Sequence, residues 1–405
     1  MKLTIPPETV DWRAKGIWQP GPAIPDSEFA AARHWLFGGA FTWPVMVARK
    51  RALDHNIATL AAFCAAHGLE FAPHGKTPMA PALFQAQLDA GAWGITAATA
   101  SQLLVYRALG VPRVLLANEL VDPTALGWLA EQIDQGWEVL FLVDSVAGVR
   151  AAASAARSRP LRVLAELGHA GGRTGSRDAA ELTAVARAAS HTPGVELAGV
   201  EAYEGGFRTV PEATAFLRAV KDATRQVADL LPGEAIVTAG GSMYFDLVGE
   251  ELAGQWLPGH RLRTILRSGA YISHDDGIYA DRTPFTRIPG ELEAALEIWA
   301  MVTSVPEPGL AFAGMGKREA PYDEGFPIPR EIRRPDGELA PADGLEVTRF
   351  ADHHAFLSVP ASIRLAPGDL IRFGISHPCT AFEKWSVIPV VDDDYTVTDL
   401  IRTYF

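Results

Sequence analysis

Between residues 71 and 266 short apolar runs alternate with longer stretches rich in alanine and leucine, and the alternation repeats about eight times. The runs fall at 71–74, 94–98, 114–117, 139–143, 163–167, 197–203, 236–239 and 264–266. Helical patterns lie between them, near 52–67, 80–90, 100–109, 123–135, 145–156, 179–190 and 211–231. Strand, helix, strand in strict succession implies parallel pairing through right-handed crossovers. Eight such units predict a (β/α)8 barrel. A doubly wound sheet is the alternative, but no G-x-G-x-x-G follows the first strand, so its dinucleotide-binding version lacks the fingerprint.

After about residue 275 the helical period fades. Short β-like runs at 297–302, 355–359, 370–375, 386–391 and 397–402 stand between Pro and Gly signals and predict a second, mostly β domain. Residues 1–44 carry many Pro and Gly and several Trp without a clear period, and are expected to pack onto that β domain. The expected organisation is therefore an N-terminal segment 1–44, a barrel 45–275 and a β-rich domain 276–405. A length of 405 residues and an apolar content of 48% suit two cores.

The net charge of −12 argues against nucleic acid and anionic membranes as partners, and the basic runs, such as 330–334, are short. The chain opens with no signal-like segment and holds no apolar run long enough to span a bilayer. Its two cysteines, Cys64 and Cys379, are far apart and make no disulfide framework. The expectation is a soluble protein of the reducing cytoplasm, with Cys64 a small core residue on a helix.

Pro73-His-Gly-Lys-Thr-Pro directly follows the first barrel run. In such barrels the loops after the strands carry the chemistry. Lys76 is either a solvated loop lysine or a partly desolvated amine suited to Schiff-base formation. Gly75-Lys76-Thr77 also resembles the end of a phosphate-binding P-loop, but Glu70 stands where that motif requires glycine.

Thr238-Ala-Gly-Gly-Ser-Met closes a later run. The N–H groups of Gly240 and Gly241 with the Ser242 hydroxyl can hold a phosphate, or the pair can serve an ordinary turn. Arg173, in Gly171-Gly-Arg-Thr-Gly, and Tyr203, in Val200-Glu-Ala-Tyr-Glu-Gly, are expected at the same end of the barrel. Arg173 suits a phenolate oxygen or a carboxylate, or a surface ion pair. Tyr203 can face an aromatic ligand or cap the barrel. The coincidence of a lysine, an arginine, a tyrosine and a Gly-Gly-Ser turn on post-strand positions weighs more than any one of them.

Ser376-His-Pro-Cys-Thr ends a β-like run. In an extended chain His377 and Cys379 point to one face. Imidazole with thiolate suits zinc, and two protein ligands leave positions open, as at a catalytic metal. A buried cysteine beside a loop histidine is the plainer reading of the spacing. His353 and His354 are further candidates for contact with a metal.

Together, Pro73-His-Gly-Lys-Thr, Arg173-Thr-Gly, Ala202-Tyr-Glu-Gly, Gly240-Gly-Ser and His377-Pro-Cys resemble the fold-type III pyridoxal-phosphate enzymes of the D-serine dehydratase and D-threonine aldolase group. The resemblance runs from about Pro44 to Phe405. It implies an alanine racemase-like, pyridoxal-phosphate-binding (β/α)8 barrel with a β domain, assembled as a homodimer. It implies Lys76 as the Schiff-base lysine, and Tyr203 beside the pyridine ring. Arg173, Thr238, Gly240, Gly241 and Ser242 become cofactor contacts, and His377 and Cys379 ligands of Zn2+.

In this group the aldolases tend to carry His-x-Asp and the dehydratases His-x-Cys. Cys379 therefore points to a lyase that converts a small β-hydroxy D-amino acid to a 2-keto acid and ammonia. Retro-aldol cleavage to glycine and an aldehyde is the alternative. A racemase would give the His-x-Cys pair no task, and a non-catalytic pyridoxal-phosphate carrier resembles a single barrel. Two features depart from the pattern: residues 1–44 have no clear counterpart in shorter members, and the segment after Tyr203 lacks a second tyrosine present in some dehydratases.

Overall fold

The computed structural model describes residues 2–405 and divides into two units. The first comprises Leu60–Lys76 and Phe84–Gly269, with a short stretch ending at Thr4. Its strands are β1 (Glu70–Phe71), β2 (Ile95–Ala97), β3 (Arg113–Glu119), β4 (Glu138–Val143), β5 (Leu161–Leu167), β6 (Val195–Ala202), β7 (Glu234–Ala239) and β8 (Arg261–Leu266). Among the described residues they form one eight-stranded parallel sheet that runs from β2 in sequence order to β8 and then to β1. The ring closes just after β1. His74 bridges Thr96, the Gly75 N–H donates to Thr96 O at 2.8 Å, and the Thr96 N–H donates to Pro73 O at 2.8 Å.

The barrel interior is filled by Ala72, Leu115, Leu140, Leu142, Leu164, Ala198, Ile236 and Ile265. Strands buried on both faces are near-continuous apolar runs for this reason, and the sequence shows them as such. Five helix starts are fixed by side-chain caps. Thr99, Asp122, Ser145 and Asp178 each accept a first-turn N–H, and Thr209 with Glu212 forms a capping box. Each cap contributes about 0.5–2 kcal/mol. Gly199 is required by close approach, since a Cβ there would lie 1.8 Å from Ile236 O on β7.

The second unit comprises Ile5–Thr59, Thr77–Leu83 and Ala270–Phe405. Its long strand Leu296–Glu307 pairs antiparallel with Leu370–Gly374 and with Val45–Arg49. Val45–Arg49 in turn pairs parallel with Val387–Val391. The expected barrel boundary at residue 45 is therefore misplaced: the run at 45–49 is a strand of the β-rich unit. Its four leading residues are buried, so its apolar pattern is that of a barrel strand, and only its partners separate the two cases.

From Ile5 on, the segment before residue 45 belongs to the second unit. Val10, Ile17, Phe29, Leu36 and Phe41 share one core with Val45, Val47, Trp299, Leu370 and Val397. Arg402 clamps the segment through Asp26 at 2.6 and 2.7 Å, and the Tyr404 hydroxyl donates to Glu8 at 3.1 Å. No helix among the described residues is long and apolar enough to cross a membrane.

Candidate functional site

Lys76 follows β1 on a stretch with little steric freedom. A Cβ on Gly75 would meet Tyr106 Oη at 2.3 Å and Ile95 Cγ2 at 2.7 Å, so glycine alone lets the chain turn there. Lys76 is half-buried, and its ammonium group has no hydrogen bond or ion pair among the described residues. Two residues earlier, the His74 Nδ1 is buried without a partner. Burial, together with the charges of Lys76, Arg267 and Arg173, holds the His74 ring well below the usual imidazole range. The neutral imidazole is thus the favoured form of His74.

Arg173 and Tyr203 meet at the same end of the barrel. The guanidinium carbon lies 4.5 Å from the Tyr203 ring centroid. Such a contact contributes about 0.5–1 kcal/mol where exposed, and leaves the N–H edge of Arg173 available to an anion. The loop is shaped by Arg177, whose guanidinium donates to the carbonyls of His169, Thr174 and Arg173.

The glycine turn departs from expectation. The N–H groups of Gly240 and Gly241, expected to face a phosphate, donate instead to Glu204 at 3.0 and 2.7 Å. Glu204 is fully buried, and burial raises its carboxyl while the two N–H groups oppose the shift. What the turn leaves open is Ser242, half-buried and without a hydrogen bond among the described residues. The Thr238 hydroxyl is also engaged: it donates to Ile265 O at 2.8 Å and accepts from Arg267 at 2.7 Å. It orients Arg267, which reaches Glu201 and the Ala202 carbonyl.

Sequence reasoning passed over Arg267 and the acidic residues of the barrel mouth. Glu119, Glu166 and Glu201 lie at the ends of β3, β5 and β6, and Glu166 stands directly beside Glu201 in the strand ladder. Burial drives Glu119 up to about 9, with the carboxyls of Glu166 and Asp144 adding to the effect. Burial likewise pushes Glu201 up to about 8 against the pull of Arg267. Burial thus favours the neutral forms of Glu119 and Glu201. The available signal was a charged residue in the last positions of an otherwise apolar strand.

In the second unit, the strand Leu370–Gly374 stops before the His-x-Cys pair. His377 caps a short 3-10 turn at Pro378–Thr380 that contains Cys379, so the turn brings the two together, not strand alternation as expected. The Cys379 sulfur lies 3.2 Å from Thr77 Oγ1 and acts electrostatically on the His377 imidazole. The Asp323 carboxylate lies 2.7 Å from His377 Nδ1 and accepts from Thr380 Oγ1 at 2.7 Å. Burial opposes the imidazolium, but the sulfur and Asp323 outweigh it and raise His377 to about 9. With Nδ1 held by Asp323, the remaining ring nitrogen is the one free to bind a metal.

His353 does not join this pair, because its Nδ1 lies 2.9 Å from Glu319 and its ring is largely exposed. His354 lies beside Phe312. Among the described residues no three His, Cys, Asp or Glu side chains converge as a metal cage. Cys64 is a buried helix residue, as expected, and burial raises its thiol to about 12.

These residues suit pyridoxal phosphate: an unpaired half-buried amine, a cation on an aromatic ring, and an open hydroxyl beside a glycine turn. The imidazole and thiol suit zinc as an open, two-ligand site.

Comparison with known proteins extends the likeness over most of the chain. The alanine racemase N-terminal domain matches residues 49–251, and the putative serine dehydratase domain matches residues 295–391. A D-threonine aldolase from Arthrobacter sp. is 26% identical over 392 residues, 94% of each chain. A D-threo-3-hydroxyaspartate dehydratase from Delftia sp. is 29% identical over 237 residues, covering 55% of this chain and 59% of that protein. The crystal structure of a D-threonine aldolase from Filomicrobium marinum superposes with a TM-score of 0.76 at 25% identity, over 90% of this chain and 95% of the other. With both domains matched in order on a closed parallel barrel and a β-rich unit, the chain belongs to the fold-type III pyridoxal-phosphate enzymes of the D-serine dehydratase and D-threonine aldolase family.

Proposed function

We propose that this protein is a pyridoxal-phosphate- and zinc-dependent lyase that removes water from a β-hydroxy D-amino acid to give a 2-keto acid and ammonia. The observation that carries the reading is the Asp323-oriented His377 beside Cys379, a donor pair containing a thiol, in a chain with Lys76 in the loop after β1. Pyridoxal phosphate, when bound, supplies the electron sink that makes the Cα proton acidic. Zinc, when bound, supplies Lewis acidity toward an oxygen leaving group.

The remaining steps fall to side chains of this protein. Lys76 holds the cofactor, is freed when the substrate amine replaces it, and then takes the Cα proton on Nζ. Arg173 holds the Tyr203 ring face and offers its N–H edge to an anionic oxygen. Ser242 donates to the phosphate. His377 and Cys379 hold the metal, with Asp323 fixing the imidazole. The Cα proton and the β-hydroxyl leave as water, and the released enamine tautomerises and hydrolyses to keto acid and ammonia. A homodimer in the cytoplasm is part of this proposal, and size-exclusion chromatography with light scattering tests the oligomer.

Retro-aldol cleavage is the second reading, favoured by the Arthrobacter aldolase likeness over 94% of the chain. Incubation with D-serine, D-threonine and 3-hydroxy-D-aspartate separates the two. Keto acid with ammonia supports the dehydratase. Glycine with an aldehyde as the main products from D-threonine sinks it and promotes the aldolase.

A further inference from the structure

Glu204 is a buried carboxylate whose two oxygens are taken by two successive backbone N–H groups of another strand end. Oε2 accepts from Gly240 at 3.0 Å and Oε1 from Gly241 at 2.7 Å. The residue is 0% exposed, so both carboxylate oxygens are closed to solvent. Gly241 also lies against the Tyr203 ring: a Cβ there would meet Tyr203 Cε2 at 3.1 Å and Glu204 Oε1 at 3.7 Å. The next peptide is held too, because Ser268 Oγ donates to Gly241 O at 3.1 Å. A second tie runs from the Glu204 carbonyl to the Phe207 N–H at 3.1 Å, and from the Phe207 carbonyl to the Tyr244 hydroxyl at 3.0 Å. The segments 203–207 and 240–244 are thus laced together, with Ser242 at the open edge.

We propose that Glu204 is a positioning residue: it pins the Gly240–Gly241 turn against the Tyr203 ring and so fixes where Ser242 stands relative to that ring. The inference rests on the pyridoxal-phosphate reading above. For that cofactor, Ser242 addresses the phosphate end and Tyr203 the ring, so Glu204 sets the spacing between the two ends. A carboxylate suits the task because it accepts from two N–H groups at once. An amide offers one acceptor and turns a donor toward the second N–H. Its enclosure also means that a phosphate reaches neither glycine N–H unless Glu204 leaves.

The test compares a ligand that has the phosphate with one that lacks it. Wild-type protein, Glu204→Ala, Glu204→Gln and Gly241→Ala are stripped of cofactor and titrated by absorbance with pyridoxal phosphate and with pyridoxal. Thermal melts accompany each variant. Glu204→Ala is expected to weaken pyridoxal phosphate at least tenfold while pyridoxal changes less than threefold, and Glu204→Gln to recover part of the loss. Gly241→Ala is expected to show the same selective loss with Glu204 intact, which keeps the test decisive where Glu204→Ala unfolds.

Equal losses for both ligands in Glu204→Gln and Gly241→Ala would mean a general structural role and overturn the proposal. Tighter binding of pyridoxal phosphate by Glu204→Ala would also overturn it, because Glu204 would then be competing with the phosphate for the two N–H groups. If the wild-type protein binds no pyridoxal phosphate, the cofactor reading itself fails, and that result is distinct from an unchanged ratio in the variants.

Discussion

Asp323 holds His377 from outside the donor pair: its carboxylate oxygen lies 2.7 Å from His377 Nδ1 and its other oxygen accepts from Thr380 at 2.7 Å. Partners of this kind set the tautomer and ring direction of a metal-binding histidine, and their loss costs about 10–100-fold in metal affinity. Asp323→Ala is therefore expected to weaken zinc binding by that factor while pyridoxal phosphate binding holds. A chelator competition assay reads the affinity, and an unchanged value would remove Asp323 from the metal site.

Cys379→Ala leaves the imidazole as sole donor of the pair. It is expected to lose bound metal and turnover while the absorbance of the Lys76-bound cofactor persists, since the lysine stands on a different unit from the cysteine. Metal content by mass spectrometry and the near-visible spectrum check both halves. Full activity in a metal-free Cys379→Ala protein would end the zinc proposal.

Lys76 is the residue expected to carry the cofactor covalently. Borohydride treatment followed by peptide mapping should place the pyridoxyl group on the peptide containing Lys76, and Lys76→Ala should abolish it. A label on Lys221 or Lys317 would sink the assignment. The structure gives Lys221 another role, because its ammonium donates to Glu251 O at 2.9 Å.

Glu119 links pH to stability. Burial raises its carboxyl from the ordinary 4.5 to about 9, so across that window the folded protein keeps a proton that the unfolded chain gives up. Stability from this residue is thus lost as pH rises through the window. Glu119→Gln keeps a neutral side chain at every pH. It is expected to melt at least about 2 °C above the wild type at pH 8.5, corresponding to about 1 kcal/mol, and to differ little at pH 5. Melting curves that stay parallel at both pH values would show that Glu119 is ionised in the folded protein.

Phe29 anchors the N-terminal segment. It is 2% exposed and packs edge-on to Phe41 at a centroid distance of 6.0 Å, within the core that includes Trp299. Phe29→Ala is expected to cost about 3–5 kcal/mol. Denaturant unfolding followed by tryptophan fluorescence measures it, and a loss below about 1 kcal/mol would show that the segment is a loosely held appendage.

The eight barrel strands and their helices were legible in the sequence because the strands are mostly buried on both faces and five of the helices begin at a capping side chain, so composition and period carry the information locally. The post-strand positions of Lys76, Arg173, Tyr203 and the Gly-Gly-Ser turn were legible for the same reason: the strand ends they follow can be read. The strand Val45–Arg49 was not assigned to its sheet, because its buried apolar residues would suit either unit and only pairing with Leu296–Glu307 decides. Nor did the local sequence tell which partner the Gly240 and Gly241 N–H groups would choose. A carboxylate more than thirty positions earlier takes both, and a hydrogen bond between strand ends exists only once the barrel has closed. The same holds for His377 and Cys379. Their spacing of two suggested a shared strand face, whereas a 3-10 turn and the distant Asp323 bring imidazole and sulfur together. Residue types and local period are written along the chain, but the partners of buried polar groups are set by long-range closure.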